Sequence, residues 1–180
     1  MEQIFKYTFG RRIRWASIGV LVLIVVAVLA LYQLYDGGYI SAWFLSLTVA
    51  IVALCVLSIP RQIRVDDASV EIHCILEMTE IELIDVVSVE HVERQQIKWL
   101  VPTLASYGLF GYYGYYFNLR TLDWVHVYAT KWSDLVMITD KYEQQFLVSC
   151  DEPERLITTI ETARASALEA LRQARLEEGE

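Results

Sequence analysis

Two long uncharged apolar runs occupy most of the first third of the chain. Residues 15–35 and residues 37–60 contain no Asp, Glu, Lys, Arg or His. An α-helix rises about 1.5 Å per residue, so about 20 residues cross the roughly 30 Å hydrocarbon core of a bilayer. Each run is long enough for that. We therefore predict a transmembrane helix at 15–35, an external turn at 36–38 and a second transmembrane helix at 39–59.

The basic residues beside these runs predict their orientation. The flanking cations are Lys6, Arg11, Arg12 and Arg14 before the first run, and Arg61 and Arg64 after the second. The turn between the runs has no cation. Because cytoplasmic flanks carry the excess of Lys and Arg, we expect both termini in the cytoplasm, with residues 1–14 as a basic cytoplasmic N-terminus. The expected location is the cytoplasmic (inner) membrane, as a multi-pass protein.

A cleaved signal peptide is the alternative for the first run. Its apolar region is normally about 7–15 residues long and is followed by an A-x-A-like cleavage site. The run at 15–35 is longer and lacks such a site. We expect a retained anchor, with the lipid bilayer as its first partner.

Composition and charge exclude several classes of function. The chain has 180 residues, 55% of them hydrophobic, and a formal net charge of −8. Nucleic-acid binding requires a basic surface that neutralises phosphates, so we expect no nucleic-acid partner. The two apolar runs contain no ionisable side chain, which argues against a proton relay or an ion path inside them.

After residue 60 the apolar pattern changes to a period of two, which is typical of half-buried strands. The alternation is clear at residues 70–74, 125–129 and 146–148. We predict about seven antiparallel strands between residues 61 and 150. Acidic residues and an early proline at 151–154 then mark a helix start, and the helix is expected to continue to about Glu178.

This order of elements resembles the bacterial pleckstrin-homology-like domains, in which a small bent antiparallel sheet is capped by one C-terminal helix. The segments that carry the resemblance are Phe110-Gly111-Tyr112-Tyr113-Gly114-Tyr115-Tyr116, Val127-Tyr128-Ala129-Thr130, Leu135-Val136-Met137-Ile138, and Val148 to Ile157. A Pro is commoner in the family where Cys150 stands. The resemblance implies an α-helical transmembrane hairpin, a β-rich pleckstrin-homology-like barrel at 60–160 and a helical C-terminal extension at 161–180.

The same resemblance implies a membrane-anchored recognition or scaffold module rather than an enzyme. It does not bring a ligand. Many pleckstrin-homology domains outside bacteria hold inositol phosphates with Lys and Arg in the first hairpin, whereas the turn here is Asp66-Asp67-Ala68-Ser69. Phosphates need cationic partners, so we expect no phosphoinositide binding at that turn.

Only Pro60-Arg61-Gln62 connects the second run to the first strand, so we expect the domain to sit against the inner membrane surface. A loop that carries Lys98, Trp99 and Leu100 is the candidate membrane-interface segment, because a cation beside apolar side chains suits the headgroup layer.

The stretch from Gln95 to Asn118 combines five tyrosines with glycines at intervals of three. One interpretation is that Phe110, Tyr113 and Tyr115 fill the core. The other is an aromatic surface that touches a partner protein, a second copy or the membrane interface, as exposed aromatic patches do. Tyr112 and Tyr116 are the candidate contact residues of that surface.

The C-terminal helix has a heptad-type seam, formed by Leu156, Ile160, Ala163, Ala167, Ala170 and Ala174. Its first three turns suffice to cap a barrel. Beyond them, the candidate partner or oligomer contacts are Ala167, Leu168, Leu171 and Ala174. Self-association or docking to a partner, fraying into solvent and folding back onto the sheet are the three alternatives for this segment.

The sequence has no recognised pattern for catalysis, metal binding or cofactor binding. Its three cysteines and three histidines lack metal-ligand spacing, and there is no phosphate-binding glycine loop. We therefore predict no catalytic, metal or cofactor-binding residues, and a non-enzymatic scaffold that forms a homo-oligomer or joins a membrane protein partner. The alternatives are an auxiliary subunit of a transporter or export system that contacts it through the hairpin, and an enzyme with an unrecognised site.

Overall fold

The computed structural model describes residues 3–7, 10–34, 39–57, 59–75, 78–93, 95–107 and 111–177. The predicted external turn at 36–38 and Phe110 lie outside the described residues. The elements in chain order are β1 (Gln3–Lys6), α1 (Arg11–Leu34), α2 (Tyr39–Leu57), β2 (Pro60–Val65), β3 (Ser69–Cys74), β4 (Met78–Glu82), β5 (Val86–Val92), a 3-10 turn (Gln96–Trp99), β6 (Leu100–Tyr107), β7 (Tyr112–Asn118), β8 (Trp124–Ala129), β9 (Leu135–Asp140), β10 (Gln145–Ser149) and α3 (Pro153–Glu177).

The helices α1 and α2 form where the two apolar runs were predicted, and they pack against each other. Among the described residues, Ile13–Gln33 is the one stretch that is long and apolar enough to cross a membrane, with a mean hydropathy of 2.6. The apolar stretch Ala42–Leu54 within α2 is shorter. Most of the large apolar side chains of both helices are exposed, so the folded domain does not cover them.

The N-terminal flank contains a strand that the sequence analysis missed. Residues 1–14 were expected to be only a basic flank, but β1 pairs antiparallel with β2, with Phe5 opposite Ile63. Phe5 is buried in the domain core, whereas Ile4 faces outward. A four-residue strand with one buried anchor is too short to show a periodic signal. Its pairing brings the chain before α1 beside the chain after α2.

The strands form two sheets. The first has the order β1-β2-β3-β4 and the second the order β5-β9-β10-β8-β7-β6. All described neighbours pair antiparallel except β8 and β10, which run parallel with His126 opposite Phe146. The described residues after 59 thus form nine strands, where about seven were predicted, and the parallel pair corrects the expectation of a wholly antiparallel barrel.

Two apolar clusters lie on the two faces of the second sheet. The first lies between the sheets and includes Ile72, Ile138 and Val148 together with Leu156 and Ile160 of α3. The second covers the opposite face and includes Ile97, Leu100, Tyr116, Val127 and Leu147. Each fully buried Leu or Ile contributes about 1.5–3 kcal/mol of hydrophobic stabilisation. The second sheet is thus buried on both faces over much of its area.

A lysine fixes the start of α3 to the loop between β8 and β9. Lys131 Nζ donates to Asp134 Oδ2 at 2.6 Å and to Asp151 Oδ1 at 2.8 Å. The hydrogen bond from Lys131 holds the pKa of Asp134 below its ordinary value. This link sets the direction in which α3 leaves the second sheet, so that its first turns cover the core.

Candidate functional site

A cleft separates two sheet edges that do not pair in the described part of the chain. The strand β4 is the last strand of the first sheet, and β6 is the last strand of the second. The cleft between them has a volume of about 860 Å³. That volume falls in the range of about 300–1,000 Å³ that is typical of small-molecule sites.

Aromatic side chains of three neighbouring strands form the floor of the cleft. They are Tyr113 and Tyr115 of β7, His126 and Tyr128 of β8, and Phe146 of β10. The strand register places Tyr115 opposite His126, and their ring centroids are 4.2 Å apart in an edge-to-face arrangement. The rings of His126 and Phe146 meet in the same way at 5.3 Å. These contacts fix the rings as one continuous surface.

The walls of the cleft come from the two edge strands. Met78, Thr79 and Glu80 line one side, and residues 103–106 of β6 line the other. Thr79 Oγ1 and the Tyr128 hydroxyl are 2.9 Å apart and share a hydrogen bond. This pair satisfies itself, and the other polar side chains of the walls are Glu80, Thr103 and Ser106.

The roof of the cleft is the second apolar helix. Ile51 and Leu54 of α2 line the cleft together with the strand residues. Leu54 lies one turn before the end of α2, and Ile51 lies about 9 Å before Leu57 along the helix at about 1.5 Å per residue. The cleft therefore opens beside the last two turns of α2.

Gly114 allows β6 to approach this surface. Its φ is +110°, a conformation that favours glycine, and a Cβ at this position would lie 2.4 Å from the carbonyl oxygen of Leu104. The pairing of β6 with β7 is irregular between Pro102 and Leu104. The bulge leaves the Leu104 side chain 82% exposed at the mouth of the cleft.

An apolar rim continues from the mouth of the cleft. Leu104 and Tyr115 also line a shallower depression with Leu122 and Trp124. All four side chains are exposed, and Trp124 packs edge-on against Phe117 at 5.2 Å. Contiguous exposed apolar surface of this kind marks interaction sites.

The charge of the cleft is acidic. Glu80 is its one carboxylate, and no Lys or Arg is among the described residues that line it. A phosphate or carboxylate group would find no cationic partner there, and such groups need one when they leave water. The lining therefore favours an apolar occupant over an anionic one.

The reactive side chains outside the cleft do not form a recognisable reaction centre. Burial raises the pKa of the Cys150 thiol, which keeps it protonated and weakly nucleophilic at neutral pH. His73 Nε2 contacts Glu71 Oε2 at 2.6 Å on the half-buried part of β3. The described residues contain no group of three or more His, Cys, Asp and Glu side chains placed to hold a metal ion.

The three predicted membrane-interface residues differ in exposure. Lys98 is exposed and Trp99 is 53% exposed, at the end of the 3-10 turn. Leu100 is buried in the second cluster, so its side chain packs inside the protein and does not face a membrane. The interface expected from three residues is thus reduced to Lys98 and Trp99.

The two tyrosines predicted as contact residues lie on the sheet face opposite the cleft. Tyr116 is fully buried, and its hydroxyl donates to the Ser106 carbonyl oxygen at 2.7 Å. Tyr112 is half-buried and stacks on Trp132 with ring centroids 4.5 Å apart. Tyr116 is a core residue and has no surface for a partner. The neighbouring Tyr113 is buried as well, whereas Tyr115 is half-exposed on the cleft floor.

The predicted contact residues of the C-terminal helix become more exposed towards its C-terminal end. Ala167 packs against the first cluster and Leu168 is half-buried, so they extend the cap of the domain. Leu171 and Ala174 are exposed. The helix therefore leaves the domain surface near Leu168, about one turn later than expected.

The cleft residues were not predicted, because they come from separate elements. The alternation at residues 125–129 is typical of a half-buried strand, whose polar residues, here His126 and Tyr128, would lie on the outer face. Both faces of that strand are covered, and the supposedly outer residues line the cleft. One interpretation of the sequence placed Tyr113 and Tyr115 in the core, whereas in the structure both line the cleft, with Tyr113 buried and Tyr115 half-exposed.

Comparison with known proteins agrees with this architecture. The family model described as bacterial PH domain matches residues 61–164. No curated protein and no solved structure matches the chain. The matched segment starts in β2 and ends in α3, so it contains the cleft walls and floor but not β1, α1 or α2. Since that match covers more than half of the chain, the protein belongs to the bacterial PH domain family.

Proposed function

We propose that the protein is a membrane-anchored scaffold that presents a PH-like domain at the cytoplasmic face of the membrane through a two-span hairpin. The observation that carries this proposal is the pairing of β1 with β2. Two adjacent strands of one sheet lie on one side of a bilayer. The chain between them must cross an even number of times.

The distances along the chain support two crossings. The strand β1 ends at Lys6 and α1 begins at Arg11, while α2 ends at Leu57 and β2 begins at Pro60. If α1 alone spanned, β2 would lie across the membrane from β1 and could not pair with it. The 19 residues of α2, none of them charged, are about sufficient for the return crossing.

The start of α1 supports a domain that lies directly against the membrane. Ile13 and Ser17 are buried, and Gly10 lies beside Thr130 and Lys131 of the domain. The first turns of α1 are thus attached to the domain, and the later turns are exposed. Lys98 and Trp99 are the candidate headgroup contacts in this arrangement.

The scaffold role is supported by the exposed rim beside the cleft and by the distal part of α3. A tethered domain meets membrane partners at a raised effective concentration, because its search is confined to one surface. Leu171 and Ala174 are the candidate contacts for a second copy or another membrane protein. We place the activity in binding and not in chemistry, in keeping with the protonated Cys150 thiol.

The experiment is a topology map of the full chain. Alkaline phosphatase inserted at residues 36–38 should be active, because that enzyme folds only outside the cytoplasm, and green fluorescent protein at the C-terminus should fluoresce. Swapping the two reporters should abolish both signals. An active phosphatase at the C-terminus, or intact protein in the supernatant after lysis without detergent, would contradict the proposal.

A second candidate is an auxiliary subunit of a transporter or export system. The observation that favours it is an apolar groove of about 590 Å³ between α1 and α2, lined by residues that include Leu21, Val25, Leu45 and Val49. Replacing both helices with unrelated spans distinguishes the two roles. A scaffold that is only tethered keeps its partners after the exchange, whereas a subunit that binds through the groove loses them.

A further inference from the structure

We infer that the cleft between β4 and β6 binds one hydrocarbon chain of a membrane lipid, which enters beside α2. This inference rests on the proposed function, because it needs α2 to stand in the bilayer. It goes beyond that function by assigning a ligand class to a site inside the domain.

The roof residues Ile51 and Leu54 indicate where a lipid chain would enter the cleft. Ile51 and Leu54 line the cleft and are 51% and 63% exposed, and Ala53 between them is exposed as well. At about 1.5 Å per residue, Leu54 lies roughly 5 Å and Ile51 roughly 9 Å along the helix from Leu57. In a spanning helix this is the depth where headgroups give way to acyl chains. A lipid chain can therefore pass from the leaflet into the cleft without crossing water.

The mouth of the cleft is built from exposed aliphatic residues on both walls. Leu104 on β6 is 82% exposed and Met78 on β4 is 55% exposed. Neither is covered by the domain itself, and both line the cleft. Large apolar side chains on opposite sides of an opening suit a flexible apolar ligand.

The lining matches a hydrocarbon chain better than a headgroup. The floor consists mainly of aromatic rings, and the polar pair Thr79 and Tyr128 is already hydrogen-bonded. The described lining has no cation for a phosphate, although it includes the polar side chains Glu80, Thr103, Ser106, His126 and Gln144. The phosphate of a lipid would remain outside at the membrane surface. The apolar chain alone would occupy the space between the sheets.

A peptide strand is the main competing occupant, because β4 and β6, which flank the cleft, are each the last strand of their sheet in the described part of the chain. Both edges carry features that oppose strand addition. Glu80 and Glu82 are exposed along β4, and β6 has Pro102, which has no N–H, followed by a bulge. Charges, proline and bulges are the devices that protect sheet edges from further pairing. The structure therefore favours a lipid chain over a peptide.

The test uses the full chain in vesicles of phosphatidylethanolamine and phosphatidylglycerol. A small fraction of added phosphatidylcholine carries a photoactivatable diazirine near the end of one acyl chain. After illumination, labelled residues are identified by mass spectrometry of peptides. We expect label on α1 and α2 and also on the cleft floor at Tyr113, Tyr128 or Phe146.

Two single substitutions place a carboxylate at the mouth, one from each wall. Leu104→Glu and Met78→Glu should each lower label on the floor at least about fivefold, because a charge at an apolar site opposes passage of a hydrocarbon chain. Label on α1 should not change. The matched control is Leu176→Glu, which alters an exposed leucine of α3 far along the chain from the cleft walls and should leave both signals unchanged.

The outcomes separate this inference from the proposed function. Label on α1 and α2 without label on the floor would overturn the lipid site and leave the anchor intact. Label confined to the rim at Leu104, Leu122 and Trp124 would mean that the rim is only immersed in the bilayer, and would overturn the site too. Label on the cleft floor that neither Leu104→Glu nor Met78→Glu reduces would also overturn the lipid site. Absence of label on all these segments would overturn the proposed function as well.

Discussion

At the scale of single residues, the cleft depends on backbone geometry as much as on side-chain chemistry. Gly114 has a positive φ and lies under the Leu104 carbonyl, so that β6 can bulge over β7. That bulge exposes Leu104 at the mouth of the cleft. At Tyr116 the side chain matters instead. Its hydroxyl donates a hydrogen bond to the Ser106 carbonyl oxygen and so joins β7 to β6 on the other face of the same hairpin.

We expect Gly114→Ala to lower the free energy of unfolding by about 3 kcal/mol or more. The strained φ alone costs about 1–3 kcal/mol, and the new Cβ would meet backbone atoms that cannot move aside easily. Thermal unfolding followed by circular dichroism of the full chain in detergent measures the effect. Gly10→Ala is the matched control, since the nearest atoms to its Cβ lie 3.9 Å away. Equal unfolding midpoints for the two variants would refute the close approach.

At the scale of elements, the sequence predicts the strands that have one buried and one polar face. The seven expected strands correspond to β2–β5 and β8–β10, and the β-rich domain with its C-terminal helix is confirmed. The missed strands β6 and β7 contain glycine, proline and tyrosines that are buried on either face, so their period is hidden. The parallel pairing of β8 with β10 joins distant segments, which local periodicity cannot reveal.

The candidate site was predictable only in part, for a related reason. Residues that act within one element, such as Trp99 on its turn and Leu171 on α3, lie at exposed positions as a local pattern suggests. The described lining of the cleft comes from α2 and six strands, and no spacing along the chain encodes that convergence. Leu100 and Tyr116 were predicted to lie on surfaces, because the sequence around an apolar residue does not show whether its side chain faces the core or a partner.

The helix α3 has a capping half and a distal half. We expect truncation after Leu168 to leave the unfolding midpoint of the domain within about 3 °C, because the removed side chains from Glu169 to Leu176 are exposed and exposed positions contribute little. If the distal half joins copies together, the same truncation lowers the particle mass measured by light scattering in mild detergent.

Leu156→Ala provides the contrast for the capping half. Leu156 is fully buried, so its loss should cost about 2–5 kcal/mol while the distal half remains. An unchanged particle mass after truncation would remove the assembly role of α3. A large loss of stability on truncation would show instead that the distal half folds back onto the domain.

At the scale of the whole molecule, the domain is completed by a strand that lies outside the family match. The match begins at residue 61, but the first sheet includes β1 from the other side of the two apolar helices. Phe5 is 7% exposed and packs in the cluster between the sheets. The segment before the two apolar helices is therefore linked to the domain by the hydrogen bonds between β1 and β2 as well as by the chain.

We expect Phe5→Ala to destabilise the domain by about 3–5 kcal/mol, the usual cost of removing a buried aromatic ring. Ile4→Ala is the matched control on the same strand, because Ile4 faces outward and its loss should shift the midpoint by no more than about 3 °C. Unfolding of both full-length variants by heat, with the same detergent, provides the comparison. Similar midpoints for the two would mean that β1 does not belong to the folded sheet in solution.

The pairing of β1 with β2 also has a consequence for biosynthesis. The ribosome makes β1 first, but its partner β2 emerges only after both apolar helices have been synthesised. In the proposed topology, insertion of one helix alone would leave β1 and β2 on opposite sides of the bilayer and the edge of β2 unpaired. Closure of the first sheet would therefore depend on insertion of both helices.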